Sequence, residues 1–279
     1  MKKLILHLFI STTVLLILSA CNDNKKAVEL QIEKAQALYE NAQYNSAKQV
    51  LDGLKEQYPK EIGAQKKRLH LMRLIELKEQ ERNLCFCDSL LPLRQAEVDS
   101  LKKYFIFEKD PEYDVTGRYI EKKLAASPAS MNIQAGVNEA GDLYLKSLYA
   151  GTLPITHNQL KVSVPSGEYA ITEAVAFDGG ANYSFKDDNT GLIHETVTYQ
   201  QKRDNGVALF ICSHSGEKLT AQYLGGKTYL HVLTRQEKES LVKSTELSSA
   251  ILDLQKIQTE KTKADNRIKY LKSKISSYN

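Results

Sequence analysis

Arg235–Ser276, RQEKESLVKSTELSSAILDLQKIQTEKTKADNRIKYLKSKIS, runs for 42 residues without a proline or a glycine. Apolar residues in and just beyond it fall at Leu247, Ile251, Leu254, Ile257, Ala264, Ile268, Leu271, Ile275 and Tyr278. Gaps of mostly three and four between them mark a seam along one face of a helix. The steps from Ile251 to Leu254 to Ile257 are two gaps of three in succession, and Lys261 occupies a seam position. Both interrupt a regular coiled coil. A helix of this length spans roughly 60 Å at about 1.5 Å per residue. Helices are marginal alone in water, so this one requires a partner.

Residues 61–105 supply the partner within the chain. Leu69, Met72 and Ile75, with Leu71, Leu74 and Leu77, give 62–84 a broad apolar face that suits more than one neighbour. Cys85–Pro92 is expected to interrupt this helix, and Leu91, Val98, Leu101 and Phe105 mark a further one. The segments 61–105 and 234–279 are therefore expected to form an antiparallel helical stalk, with pairing to a second chain as the alternative.

Residues 27–60 read as two short helices with a turn near Asn41–Tyr44. Ala35 and Ala47 allow the helices to approach, and Pro59 ends the second. This segment resembles one tetratricopeptide repeat, but Gln31 stands where that family has an aromatic and no second copy follows. A single repeat has no neighbours with which to form a concave groove, so the resemblance implies a packing hairpin.

Between the helical ends, composition switches. Residues 131–233 hold most of the glycines and much of the Val, Ile, Thr and Tyr, and the β domain is placed at 106–233. Strands are expected at 131–138, 142–150, 159–164, 169–177, 192–201, 207–214, 218–224 and 227–233, with loops at 151–158 and 183–191. Turns stand at Glu139-Ala140-Gly141, Pro165-Ser166-Gly167, Asp178-Gly179-Gly180, Asp204-Asn205-Gly206, Ser215-Gly216 and Gly225-Gly226. The stretch 106–130 covers one end of this domain or adds a strand to it. The fold class is α+β: a helical stalk carrying an inserted all-β domain of about eight strands, a sandwich or open barrel.

At the N-terminus, Lys2 and Lys3 precede an apolar run to Leu18, broken by His7 and by Ser11–Thr13. This is the pattern of a secretory signal peptide over residues 1–20. Leu18-Ser19-Ala20-Cys21 resembles the lipobox of bacterial lipoproteins, which implies lipidation at Cys21 and a polar tether over 21–26. Multiple acyl chains would then anchor the protein to the membrane. Asn22 and Asp23 form no acidic cluster, so a periplasm-facing position at the outer membrane is expected over surface export.

The formal charge is +4, and loss of Lys2 and Lys3 with the leader leaves +2. That is too small and too mixed for a nucleic-acid footprint. Cys85, Cys87 and Cys212 lack redox or zinc spacing and read as buried or half-buried thiols, with a Cys212 bridge to one of the others left open. His194, His214 and His231 fall on three expected strands and are read as scattered rather than convergent. Cys212 and His214, at i and i+2 of one expected strand, would be neighbours, yet no orienting acid accompanies them. Asp178-Gly179-Gly180 and Asp187-Asp188-Asn189 offer oxygens without the spacing of a calcium loop. Neither catalytic residues nor a metal or cofactor site is expected. The expected role is a non-enzymatic scaffold that docks a partner protein, with a glycan- or peptide-binding module of an uptake system as the alternative and a hydrolase third.

Overall fold

A computed structural model describes residues 24–112, 115–126 and 132–278. The signal peptide and Cys21 lie outside the described residues. The chain divides into two compact units, Met1–Asp88 with Thr259–Asn279, and Ser89–Gln258. No helix among the described residues is long and apolar enough to cross a membrane.

The first unit is helical. It contains α1 (24–40), α2 (Tyr44–Gln57), the first part of α3 (Ile62–Lys102) and the last part of α6 (Arg235–Ser276). Ala42, at φ 58°, turns the chain between α1 and α2. Ala35 and Ala47 are fully buried, and their small side chains let the helices close over Leu51, Leu71 and Ile75. Glu76 takes a two-pronged ion pair from Arg267, and Lys261 reaches Asp88 at 2.6 Å. Numbers that rise along α3 thus fall along α6, so the two helices run antiparallel.

α3 corrects the sequence reading: it is continuous through Cys85–Pro92. Proline removes one donor and costs about 3 kcal/mol in a helix interior. Apolar burial continues past it at Val98 and Leu101, and that holds the helix together.

Among the described residues the second unit holds ten strands in two antiparallel sheets, which do not close into a barrel. β1 (Phe105–Glu108), β2 (Arg118–Glu121), β3 (Ile133–Asn138), β4 (Leu143–Gly151), β7 (Asn182–Lys186) and β8 (Ile193–Tyr199) form one sheet, ordered β1-β2-β3-β4-β8-β7. β5 (His157–Ser163), β6 (Tyr169–Ile171), β9 (Thr220–Gly225) and β10 (Tyr229–Val232) form the other, ordered β10-β9-β5-β6. A short α4 (Lys122–Ala126) follows β2. Leu145, Val197 and Tyr199 of the first sheet share a core with Leu160, Val162 and Tyr223 of the second. Leu247, Ile251 and Leu254 of α6 pack with Val98 of α3 over Val137 and Phe105.

Two differences from the sequence reading matter. The expected strand at 207–214 is α5 (Val207–Ser213). A short apolar run does not distinguish a buried strand from a buried helix; here Asn205 and Gly206, both at positive φ, turn the chain into the helix. β1, β2 and β7 add strands where the sequence pointed to loop or left the element open. β7 is short and mostly exposed, so its alternation is weak.

Candidate functional site

Ser147 of β4, His157 of β5 and Glu195 of β8 form a hydrogen-bonded line through the core of the β unit. Ser147 Oγ lies 3.0 Å from His157 Nε2, and His157 Nδ1 lies 2.8 Å from Glu195 Oε2. Tyr199 hydroxyl closes the line at 3.3 Å from Ser147 Oγ. The order serine, histidine, acid is the connectivity of an activated nucleophile.

The backbone explains how Glu195 is held. Thr156 adopts φ 50°, which turns three successive N–H groups to one side. Ile155 and Thr156 donate to Oε1 at 2.7 and 2.8 Å, and His157 donates to Oε2 at 3.1 Å. Successive N–H groups so arranged form an anion-binding nest, and here the anion is the chain's own carboxylate. Gly226 admits this bend, since a Cβ there would fall 2.6 Å from the Ile155 carbonyl oxygen.

Burial pulls the Glu195 pKa upward, but the donated hydrogen bonds from Thr156, His157 and Ile155 outweigh it and hold the carboxyl below its ordinary value. Burial also lowers the His157 pKa despite the neighbouring carboxylate. The imidazole is therefore neutral near pH 7: Nδ1–H donates to Glu195, and Nε2 accepts from Ser147. Burial pushes the Tyr199 phenol up to about 12, so it too stays neutral.

Access decides what this line does. Ser147 is fully buried, and the His157 ring is boxed by Tyr223 with ring centroids 4.9 Å apart. A cleft of about 220 Å³ lined by Phe177, Asn182 and Tyr183 reaches the Glu195 and His157 end, not the serine. Nucleophilic attack needs room for a reacting atom about 3 Å from the hydroxyl and donors for the oxyanion. The nest that would supply such donors is already filled by Glu195. The line works as a clasp between the two sheets.

A second buried carboxylate, Glu237, sits at the start of α6. It accepts from Asn132 N at 2.6 Å, Ile133 N at 2.9 Å, Thr234 N at 2.7 Å and His231 Nε2 at 2.8 Å. Glu237 N returns a bond to Thr234 Oγ1 at 3.2 Å, completing a capping box. Thr-x-x-Glu before an apolar run is a signal that the sequence does carry.

The histidines singled out from sequence do not converge. His194 stacks on Phe185, His214 follows α5 and contacts Glu217 at 2.7 Å, and His231 is bound to Glu237. Cys212 and His214 are not strand neighbours: Cys212 Sγ faces Thr245 Oγ1 at 3.3 Å, and His214 is the cap residue of the helix. Cys85, Cys87 and Cys212 are free; Cys87 is buried and Cys212 half-buried, but Cys85 is exposed, against the burial expected of all three. Asp178 and Asp187 spend their oxygens on their own turns, accepting from Gly180 N and Asn189 N, each at 2.9 Å. Among the described residues no cluster of three His, Cys, Asp or Glu side chains could hold a metal.

In the helical unit an open groove of about 540 Å³ is lined by Leu69, Met72, Tyr270 and Leu271, with Arg68 and Arg73 beside them. Lys48 and Arg267 on its walls are neutralised by Glu79 and Glu76. Among the described residues Arg68 donates only to the neutral Gln65, which leaves its positive charge uncompensated there. No family model, curated protein or solved structure matches this chain.

Proposed function

We propose that this chain is a bacterial envelope lipoprotein, anchored through lipid on Cys21 and facing the periplasm at the outer membrane. It acts without catalysis, as a scaffold that docks a partner protein. The supporting observation is the groove of the helical unit. Leu69 and Tyr270 are 43% and 47% exposed there, and both arginines flank them without an acidic partner among the described residues. Large side chains left open beside uncompensated charge mark interaction surfaces. The complementary partner is an amphipathic helix with an apolar ridge and acidic flanks.

Three measurements test this. Fatty-acid label should enter the wild-type protein and not Cys21→Ala; equal labelling would end the lipoprotein reading. A benzophenone amino acid at position 69, in living cells, should give a discrete adduct that Arg73→Glu abolishes. The same adducts from exposed position 55 would mean that the groove is not a docking site. A fluorophosphonate probe should leave Ser147 unlabelled, and labelling lost in Ser147→Ala would favour a hydrolase instead.

A further inference from the structure

In β4, Leu145 and Ser147 point into the core, so Tyr144 and Lys146 stand on the outer face of the six-stranded sheet. Gly136 of β3 is the register partner of Tyr144, and a Cβ on Gly136 would lie 2.1 Å from the Tyr144 hydroxyl oxygen. Glycine inside a strand weakens it and marks a close approach. Here the approaching group is the phenol, which lies across the sheet instead of standing up from it.

Lys146 Nζ rests 5.5 Å from the centroid of that ring, and no carboxylate pairs with it among the described residues. Arg118 beside it is engaged by Glu108 at 3.3 Å; Asp142 at the rim, the one acidic side chain of the lining among the described residues, accepts from the neutral Asn138 amide at 3.0 Å and forms no ion pair with Lys146. Burial and the nearby Arg118 lower the Lys146 pKa, with Glu108 opposing them, as expected of an ammonium that lacks a counterion.

These residues line a groove of about 440 Å³, to which Thr198 and Gln200 add a hydroxyl and an amide. The volume lies within the range of about 300–1,000 Å³ typical of ligand sites. Its walls are mainly polar, which disfavours an apolar ligand. A single uncompensated cation does not track a nucleic-acid backbone, which needs a row of them. A flat ring, several single hydrogen-bonding groups and one free ammonium match a sugar ring that carries a carboxylate.

We propose that this groove binds an acidic saccharide, its ring against Tyr144 and its carboxylate on Lys146. The site is independent of the docking groove in the helical unit, so either assignment can fail without the other.

Titration of the full chain in detergent with trigalacturonate tests the proposal. Saturable binding is expected, weakened about tenfold or more by Lys146→Met, by Tyr144→Ala or by methyl esterification of the sugar, while Tyr144→Phe stays within about threefold of wild type. Circular dichroism checks that each variant is folded. Equal affinity for the neutral ester, undiminished binding by Lys146→Met, equal binding of a triglutamate peptide, or no binding of trigalacturonate at millimolar concentration would each overturn it.

Discussion

Replacing Glu195 with glutamine keeps the shape of the side chain and exchanges one acceptor oxygen for a donor. If the amide oxygen takes the place of Oε1, it still accepts from Ile155 and Thr156, but without the charge. Hydrogen bonds to charged groups contribute about 1.5–3 kcal/mol against about 1 for neutral ones, so each weakens by about 0.5–2 kcal/mol. The amide nitrogen then faces His157 N–H and Nδ1–H, which now lie 3.1 and 2.8 Å from Oε2. The ring can answer by changing tautomer and turning the Ser147 hydroxyl toward Tyr199. The backbone N–H cannot, and an unpaired buried donor costs about 1–3 kcal/mol. We expect Glu195→Gln to destabilise the β unit by about 2–7 kcal/mol, a large share of a typical total of about 5–15. Hydrogen exchange at the Val197 and Tyr199 amides reads this unit alone, and urea unfolding can be followed by tyrosine fluorescence because the chain has no tryptophan. A loss below about 1 kcal/mol would refute the clasp. A gain in stability would point to a strained active site, where function and stability oppose each other.

Acid should weaken the same unit in two steps. His157 lies below its ordinary 6.5, and Glu195 and Glu237 lie below 4.5, so in each case the unfolded chain takes the proton first. Stability is then complete above about pH 6.5 and falls as pH drops through the folded-state values, by at most about 1.4 kcal/mol per pH unit per proton; a urea midpoint that is flat from about pH 7 to about pH 5 would remove His157 from this account. Leu271→Asp places a charge at a fully buried seam position and should cost at least the 2–5 kcal/mol or so of a large-to-small change, unfolding the helical unit while exchange at Leu145 and Val197 stays slow. Gly141→Ala forces a side chain into φ +90° with its Cβ 2.9 Å from Ile251, so the melting temperature should fall by an amount equivalent to more than about 1 kcal/mol; an unchanged melt would show that the hairpin relaxes freely.

The long helices were legible because their signal is local and repeated. Leu247, Ile251 and Leu254 announce a buried stripe, and the observed α6 has the bounds read from sequence. Several strands were legible for the same reason, their alternation being bracketed by glycine turns. Val207–Ser213 failed because six consecutive apolar residues, Val207–Cys212, carry no period that separates strand from helix. Pro92 misled because the loss of one hydrogen bond is smaller than the burial that continues past it. The clasp was not legible as a unit, since residues 147, 157 and 195 meet only once the two sheets stack. Part of it was visible: the alternation through β8 places Glu195 on the same face as Val197 and Tyr199, and a carboxylate on a dry face requires partners.

Those partners explain why the fold retains charges in its interior. Every buried backbone N–H needs an acceptor, and the ladder supplies one only where strands overlap. Ile155 and Thr156 precede β5, and Asn132 precedes β3, so these donors lie outside the ladder. Glu195 collects the first two with His157, and Glu237 collects Asn132 with Ile133 and the cap of α6. Glu121 repeats the device on a smaller scale, accepting from Lys123 N at 3.0 Å and Leu124 N at 3.2 Å where α4 begins. Each carboxylate collects donors that stand where the chain enters regular structure. An apolar replacement would strand several donors at once. This is a structural reason for the acids to be buried, and it accounts for a Ser–His–Glu line without invoking a reaction. It also ties the N-terminus of α6 to the edge of the β core, so the helix leaves that core from a fixed starting point.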